Sequence, residues 1–68
     1  MKTITTDIEL FAAAMSQVRV SVAIKIGDGK LQIVDYGGPI EKYSGFSVRI
    51  GGAYYAREAH EFLVREDR

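Results

Sequence analysis

Val18-Arg19-Val20-Ser21-Val22-Ala23-Ile24-Lys25-Ile26-Gly27-Asp28-Gly29-Lys30-Leu31-Gln32-Ile33-Val34-Asp35-Tyr36 is the stretch whose reading decides the fold. From Val18 to Ile26 every second residue is apolar and β-branched, the period of a strand with one buried face. Gly27-Asp28-Gly29-Lys30 interrupts that run. Asp-Gly at two central positions is the preferred chemistry of a tight type I′ hairpin turn, because both residues must take positive φ. Such a turn predicts that Ile26 faces Leu31 and Ile24 faces Ile33 on one side of the hairpin. On the other side Lys25 meets Gln32, Ala23 meets Val34 and Ser21 meets Tyr36.

Upstream, Thr6-Asp7-Ile8-Glu9 fits a capping box, in which the threonine hydroxyl and the glutamate carboxylate each satisfy a free amide at a helix start. Asp7 and Glu9 also suit the positive end of the helix dipole. Ile8, Phe11, Ala12 and Met15 follow at helical spacing as one apolar stripe, and the helix is expected to end near Gln17. Downstream, Gly37 to Gly45 holds Pro39 and further glycines and reads as a loop. Phe46, Val48 and Ile50 alternate with Ser47 and Arg49 as a third strand that Gly51-Gly52 ends. From about Ala53, the positions Tyr55, Ala59, Phe62 and Leu63 fall at helical spacing, with Gly52 as N-cap and Glu61 four residues before Arg65 as a supporting pair. The expected fold is therefore α+β, one domain over residues 1–68: helix, three-stranded antiparallel sheet, helix, with both helices on one face of the sheet. A four-stranded variant, with residues 53–55 pairing back across Gly51-Gly52, stays open.

Sixty-eight residues without cysteine leave a small core with no disulfide or thiolate metal site to reinforce it. Self-association into a homodimer is one way for such a chain to gain burial. Nine basic residues balance nine acidic ones, whereas duplex-DNA binders usually carry a basic excess that neutralises phosphate. No run approaches the roughly 18 apolar residues of a membrane span. Met1-Lys2-Thr3-Ile4-Thr5-Thr6 lacks a secretory apolar stretch, so a cytoplasmic location is expected.

Residues that carry chemistry are few. His60, near Arg57, Glu58 and Glu61, is the one candidate general base, and it reads more simply as part of a solvated surface. Gly27-Asp28-Gly29-Lys30 lacks the spacing of a phosphate-binding loop. Asp28, Asp35 and Glu41 do not match a calcium loop. No catalytic residue, cofactor or metal site is assigned, and binding becomes the expected activity. The open sheet face would carry Arg19, Lys25, Tyr36 and Arg49 as first partner-binding residues, with Tyr43 and Tyr54 second. Arginine and tyrosine are favoured at protein hot spots, and basic residues interleaved with aromatics also suit single-stranded nucleic acid. Against a basic partner the alternative surface is acidic: Asp35, Glu41, Glu58, Glu61 and Glu66.

The α-β-β-β-α order resembles double-stranded RNA-binding domains, and Gly52-Ala53-Tyr54-Tyr55-Ala56-Arg57-Glu58-Ala59 falls where that family begins its basic helix. Only Arg57 stands there in place of a lysine cluster. Gly45 to Phe62, with Glu58-Ala59 and Phe62, resembles the strand-then-helix end of phage integrase arm-binding domains. In overall character, being small, neutral, free of cysteine and without an active site, the chain resembles phage-encoded inhibitors of host defence, anti-CRISPR proteins among them. That likeness implies steric docking on a protein or ribonucleoprotein complex of a bacterial defence system. The runner-up expectation is a nucleic-acid-binding module that uses the basic sheet face.

Overall fold

Thr6 begins the one helix among the described residues, which in this computed structural model are residues 1–65. Its hydroxyl accepts from the Glu9 amide at 3.1 Å, and the Glu9 carboxylate accepts in return from the amides of Thr5 (2.8 Å) and Thr6 (3.1 Å). Those amides, that of Thr5 foremost, hold the Glu9 carboxyl below the usual carboxylate range. The helix, α1 (Asp7–Ser16), ends as expected at Gln17, which takes a left-handed φ of 54° and donates its amide to the Ala14 carbonyl.

The remaining elements are strands. In chain order they are β1 (Lys2–Ile4), β2 (Val20–Lys25), β3 (Leu31–Gly38), β4 (Ile40–Tyr43), β5 (Ser47–Ile50), β6 (Ala53–Ala56) and β7 (Glu61–Val64). They form a four-stranded sheet in the order β1-β7-β2-β3 and a three-stranded sheet in the order β4-β5-β6, with every pairing antiparallel. Inward side chains of both sheets meet Leu10 and Ala13 of the helix in one core: Ile4, Val20, Val22 and Phe62 from the first, Ile40, Val48 and Ile50 from the second.

This corrects the helix–three strands–helix reading. Residues 53–64 form two strands and no second helix, so the likeness in element order to double-stranded RNA-binding domains lapses. Gly51 and Gly52, at φ of 60° and 82°, turn the chain back on itself and send Ala53 opposite Ile50; neither caps a helix. The open alternative, with residues 53–55 pairing back, is the observed one. Tyr55 and Phe62 still reach the core, because inward positions of two strands joined by a turn mimic helical spacing. Short helices are marginal alone, whereas Tyr54-Tyr55 and Phe62-Leu63-Val64 suit a pleated surface. The expected loop at 37–45 is mostly strand as well. Only Pro39 separates β3 from β4, and there the chain passes from one sheet to the other.

The hairpin is present but its register is displaced. Lys30 donates its amide to the Gly27 carbonyl at 2.8 Å, and Asp28 and Gly29 both take positive φ, as the Asp-Gly turn requires. Ile26, however, donates to the Lys30 carbonyl, so Gly27 is left over as an extra residue. Lys25 therefore pairs with Leu31, Ile24 with Gln32 and Ala23 with Ile33. Two further irregularities then bring Val22 opposite Asp35 and Val20 opposite Gly38. Because β7 covers its other edge, β2 is an interior strand. Ser21 and Ala23, expected on an open face, are buried along with Leu63.

The helix buries the other side from its most apolar stripe. Leu10 and Ala13 point to the core, while Ile8, Phe11 and Met15 are 80%, 55% and 69% exposed.

Candidate functional site

The expected basic and aromatic face divides between the two sheets. Arg19, just before β2, donates from Nη1 to the carbonyls of Tyr36 (3.3 Å) and Gly37 (2.8 Å). Ser21 donates to the same Tyr36 carbonyl at 3.2 Å. The two bonds anchor Arg19 beside the end of β3, where the Tyr36 side chain is 72% exposed. Met1, Val18, Arg19, Ser21, Tyr36 and Arg65 line a groove of about 550 Å³ on this outer face of the first sheet. Among the described residues its lining is apolar and basic apart from the Ser21 and Tyr36 hydroxyls.

Arg49 belongs to the second sheet. It stands opposite Tyr54 on β6 and Lys42 on β4, and its guanidinium carbon lies 5.5 Å from the centre of the Tyr54 ring, a cation–π geometry. Its Nε is 3.2 Å from a Glu41 carboxylate oxygen but out of line for a hydrogen bond, so that contact is ionic only. The same Glu41 oxygen accepts from the Gly52 amide at 3.1 Å and braces the turn. Lys25, at the far end of β2, stands 4.0 Å from Glu61. Tyr43 packs partly buried against the core. Of the expected contacts, then, Arg19 and Tyr36 come together, Arg49 and Tyr54 form a separate pair, and Lys25 and Tyr43 join neither.

The alternative acidic surface is likewise dispersed. Asp35 faces inward, where it accepts from the Tyr55 hydroxyl at 2.5 Å and the Gly37 amide at 2.6 Å. Glu41 and Glu61 are engaged as described, Glu58 is exposed in the turn between β6 and β7, and Glu66 lies outside the described residues. His60 packs edge-on against Tyr55 with ring centres 5.2 Å apart, its Nδ1 2.9 Å from the Ala56 carbonyl. Arg57 reaches the Asp7 carboxylate (2.8 Å) and the carbonyls of Ser44 (2.7 Å) and Thr5 (3.0 Å), tying the helix start to the loop after β4.

Asp35 and Tyr55 link the two sheets, and each perturbs the other. The Tyr55 hydroxyl first, then the Gly37 amide, holds the Asp35 carboxyl below its usual range, while the hydrogen bond to Asp35 pushes the Tyr55 hydroxyl up. A carboxyl lowered by folding contributes stability above its unfolded value of about 4, and that contribution is lost as pH falls through the folded value. A phenol raised by folding contributes below about 10 and loses its share as pH rises further. Thermal melting from pH 2 to 11 is expected to show a plateau with a shoulder on each side. In Asp35→Asn the acid shoulder should shrink to the part that Glu9 supplies, and Tyr55→Phe should remove the alkaline one. Unchanged shoulders in both variants would show that the pair does not couple the sheets.

No sequence pattern marks Met1, Val18 and Arg65 as groove residues, and the apolar stripe of Ile8, Phe11, Ala12 and Met15 is exposed in the structure. The signal for the helix was there: Leu10, Ala13 and Ala14 make a second, narrower stripe of small residues around one leucine. Which stripe faces inward depends on the room beside β4, against which the helix packs, and periodicity carries no information on that. No family model, curated protein or solved structure matches the chain. Among the described residues no helix is long and apolar enough to cross a membrane.

Proposed function

We propose that this protein is a non-catalytic binding module that docks on a partner protein and acts sterically, by occupying the partner's surface. The observation that carries the reading is the groove beside Tyr36, in which an exposed tyrosine ring and apolar Met1 and Val18 share the lining with Arg19 and Arg65. Aromatic and arginine side chains around a small apolar depression are the composition of a protein hot spot. A partner segment with an acidic residue beside an apolar one would complement it. The narrower form of the proposal is an inhibitor from a phage or mobile element, acting in the cytoplasm on a bacterial defence assembly such as a CRISPR-Cas complex. It rests on the small size, the neutral charge and the sparse inventory of reactive groups.

The test is capture from bacterial lysate on the tagged chain, with and without nuclease and at low and high salt, comparing wild type with Tyr36→Ala and Tyr54→Ala. One assembly is expected to survive nuclease and salt, to be retained by Tyr54→Ala and to bind Tyr36→Ala at least ~10-fold more weakly, the loss typical of a hot-spot truncation. Capture that vanishes with nuclease or salt would replace docking by nucleic-acid binding, whose affinity falls steeply with ionic strength. Retention by Tyr36→Ala with loss in Tyr54→Ala would move the site to the Arg49 face.

A further inference from the structure

The outward face of α1 matches itself. Ile8, Phe11, Ala12 and Met15 run along the exposed side of the helix, large, large, small, large. Reversing the helix about the midpoint between Phe11 and Ala12 exchanges Ile8 with Met15 and Phe11 with Ala12. Two copies packed antiparallel would therefore set each Phe11 ring over the partner's Ala12 and each Ile8 against the partner's Met15. A two-fold interface requires self-complementarity of this kind, because one patch must serve both sides. We propose that the protein forms a symmetric dimer through α1, with a second copy of this chain as the occupant of the apolar stripe.

Charge supports a second copy over a charged partner. Leu10 to Val18 contains no ionisable residue, and the two acids of the first turn are engaged, Asp7 with Arg57 and Glu9 with the capping amides. The formal net charge is zero, so copies approach without long-range repulsion. Area sets the strength. A standard interface takes on the order of 800 Å² from each partner, about a sixth of the 4683 Å² that this chain exposes. A helix about 15 Å long presents less than that on one face. The dimer is therefore expected to be concentration-dependent, with dissociation in the micromolar range. This inference is independent of the groove at Tyr36, which lies on the first sheet.

Sedimentation equilibrium of the full chain across micromolar to millimolar concentration tests it, with far-UV circular dichroism to check folding. Ile8→Glu and Met15→Lys alter exposed side chains, so each is expected to fold and each to weaken the dimer at least ~10-fold, since a symmetric interface would bury the unpaired charge twice. Mixing the two variants restores one Ile–Met contact and creates one Glu–Lys pair, and should return affinity to within about 10-fold of wild type. A wild-type chain that stays monomeric throughout would overturn the proposal. So would a dimer indifferent to Ile8→Glu, or a mixture no tighter than either variant alone.

Discussion

Gly37→Ala is expected to leave the chain unfolded at room temperature. A Cβ at this position would lie 1.7 Å from the Val20 carbonyl oxygen and 2.8 Å from its carbon, and both are backbone atoms of the interior strand β2. Residue 37 also takes a φ of +78°, which costs alanine about 1–2 kcal/mol before any clash. Relieving the contact means pushing β3 away from β2. That would break the bonds from Arg19 and Ser21 to the carbonyls of residues 36 and 37 and the pairing of Val20 with Gly38. Strand displacement with loss of those bonds adds several kcal/mol, against a total stability on the order of 3–10 kcal/mol for a chain of this length. Gly38→Ala is the control. Nothing lies within 4 Å of its added Cβ, so its spectrum and melting should stay close to wild type. A folded Gly37→Ala protein with native amide dispersion would show that β3 does not approach β2 as described.

The second large effect separates the two sides of α1. Leu10 is 1% exposed among core side chains from both sheets, and Leu10→Ala is expected to cost about 3 kcal/mol through lost burial and the cavity left behind. For a domain this small that lowers the melting temperature by on the order of 15 °C. Ile8→Ala, two residues away, should change stability by less than about 0.5 kcal/mol at concentrations where the chain is monomeric. Chemical denaturation of the two variants reads the contrast directly. Equal losses, or a larger loss at Ile8, would mean that the helix is turned the other way on the sheets.

That contrast marks what the sequence could and could not reveal. The limits of α1 followed from Thr6, Glu9 and the change of period after Gln17, all of which are local chemistry. The strand at Val20 and the Asp28-Gly29 turn were legible for the same reason. The orientation of the helix, the extra residue at Gly27 and the burial of Ser21 and Ala23 were not, because each depends on what lies alongside. Alternation indicates a half-buried strand, but side chains as small as Ser21 and Ala23 on a strand flanked by β3 and β7 are out of solvent as well. Gly37-Gly38-Pro39 looked like a loop, whereas Gly37 is needed for the close approach of β3 to Val20, a distant residue. The candidate site suffered most. Grouping Arg19, Lys25, Tyr36 and Arg49 assumed one sheet, and the passage of the chain between sheets at Pro39 puts Arg49 on the other. Arg19 and Tyr36 survived as neighbours because they flank the one hairpin that was read correctly apart from its register.

The position of β7 bears on how the molecule is made. Val64 pairs with Lys2 on one side and Val20 on the other, so β7 fills a slot between β1 and β2. A chain emerging from the ribosome at roughly 5–20 residues per second can close α1 and the β2–β3 hairpin early. Strand β1 must nevertheless wait, with no sheet partner, until residues 61–64 are synthesised. Translation that stalls or terminates before Glu61 would release a species with two unpaired strand edges facing an empty slot, a template for pairing between nascent chains. Closure of the first sheet thus waits on residues 61–64, and any product that stops short of them leaves β1 and β2 without the strand they share.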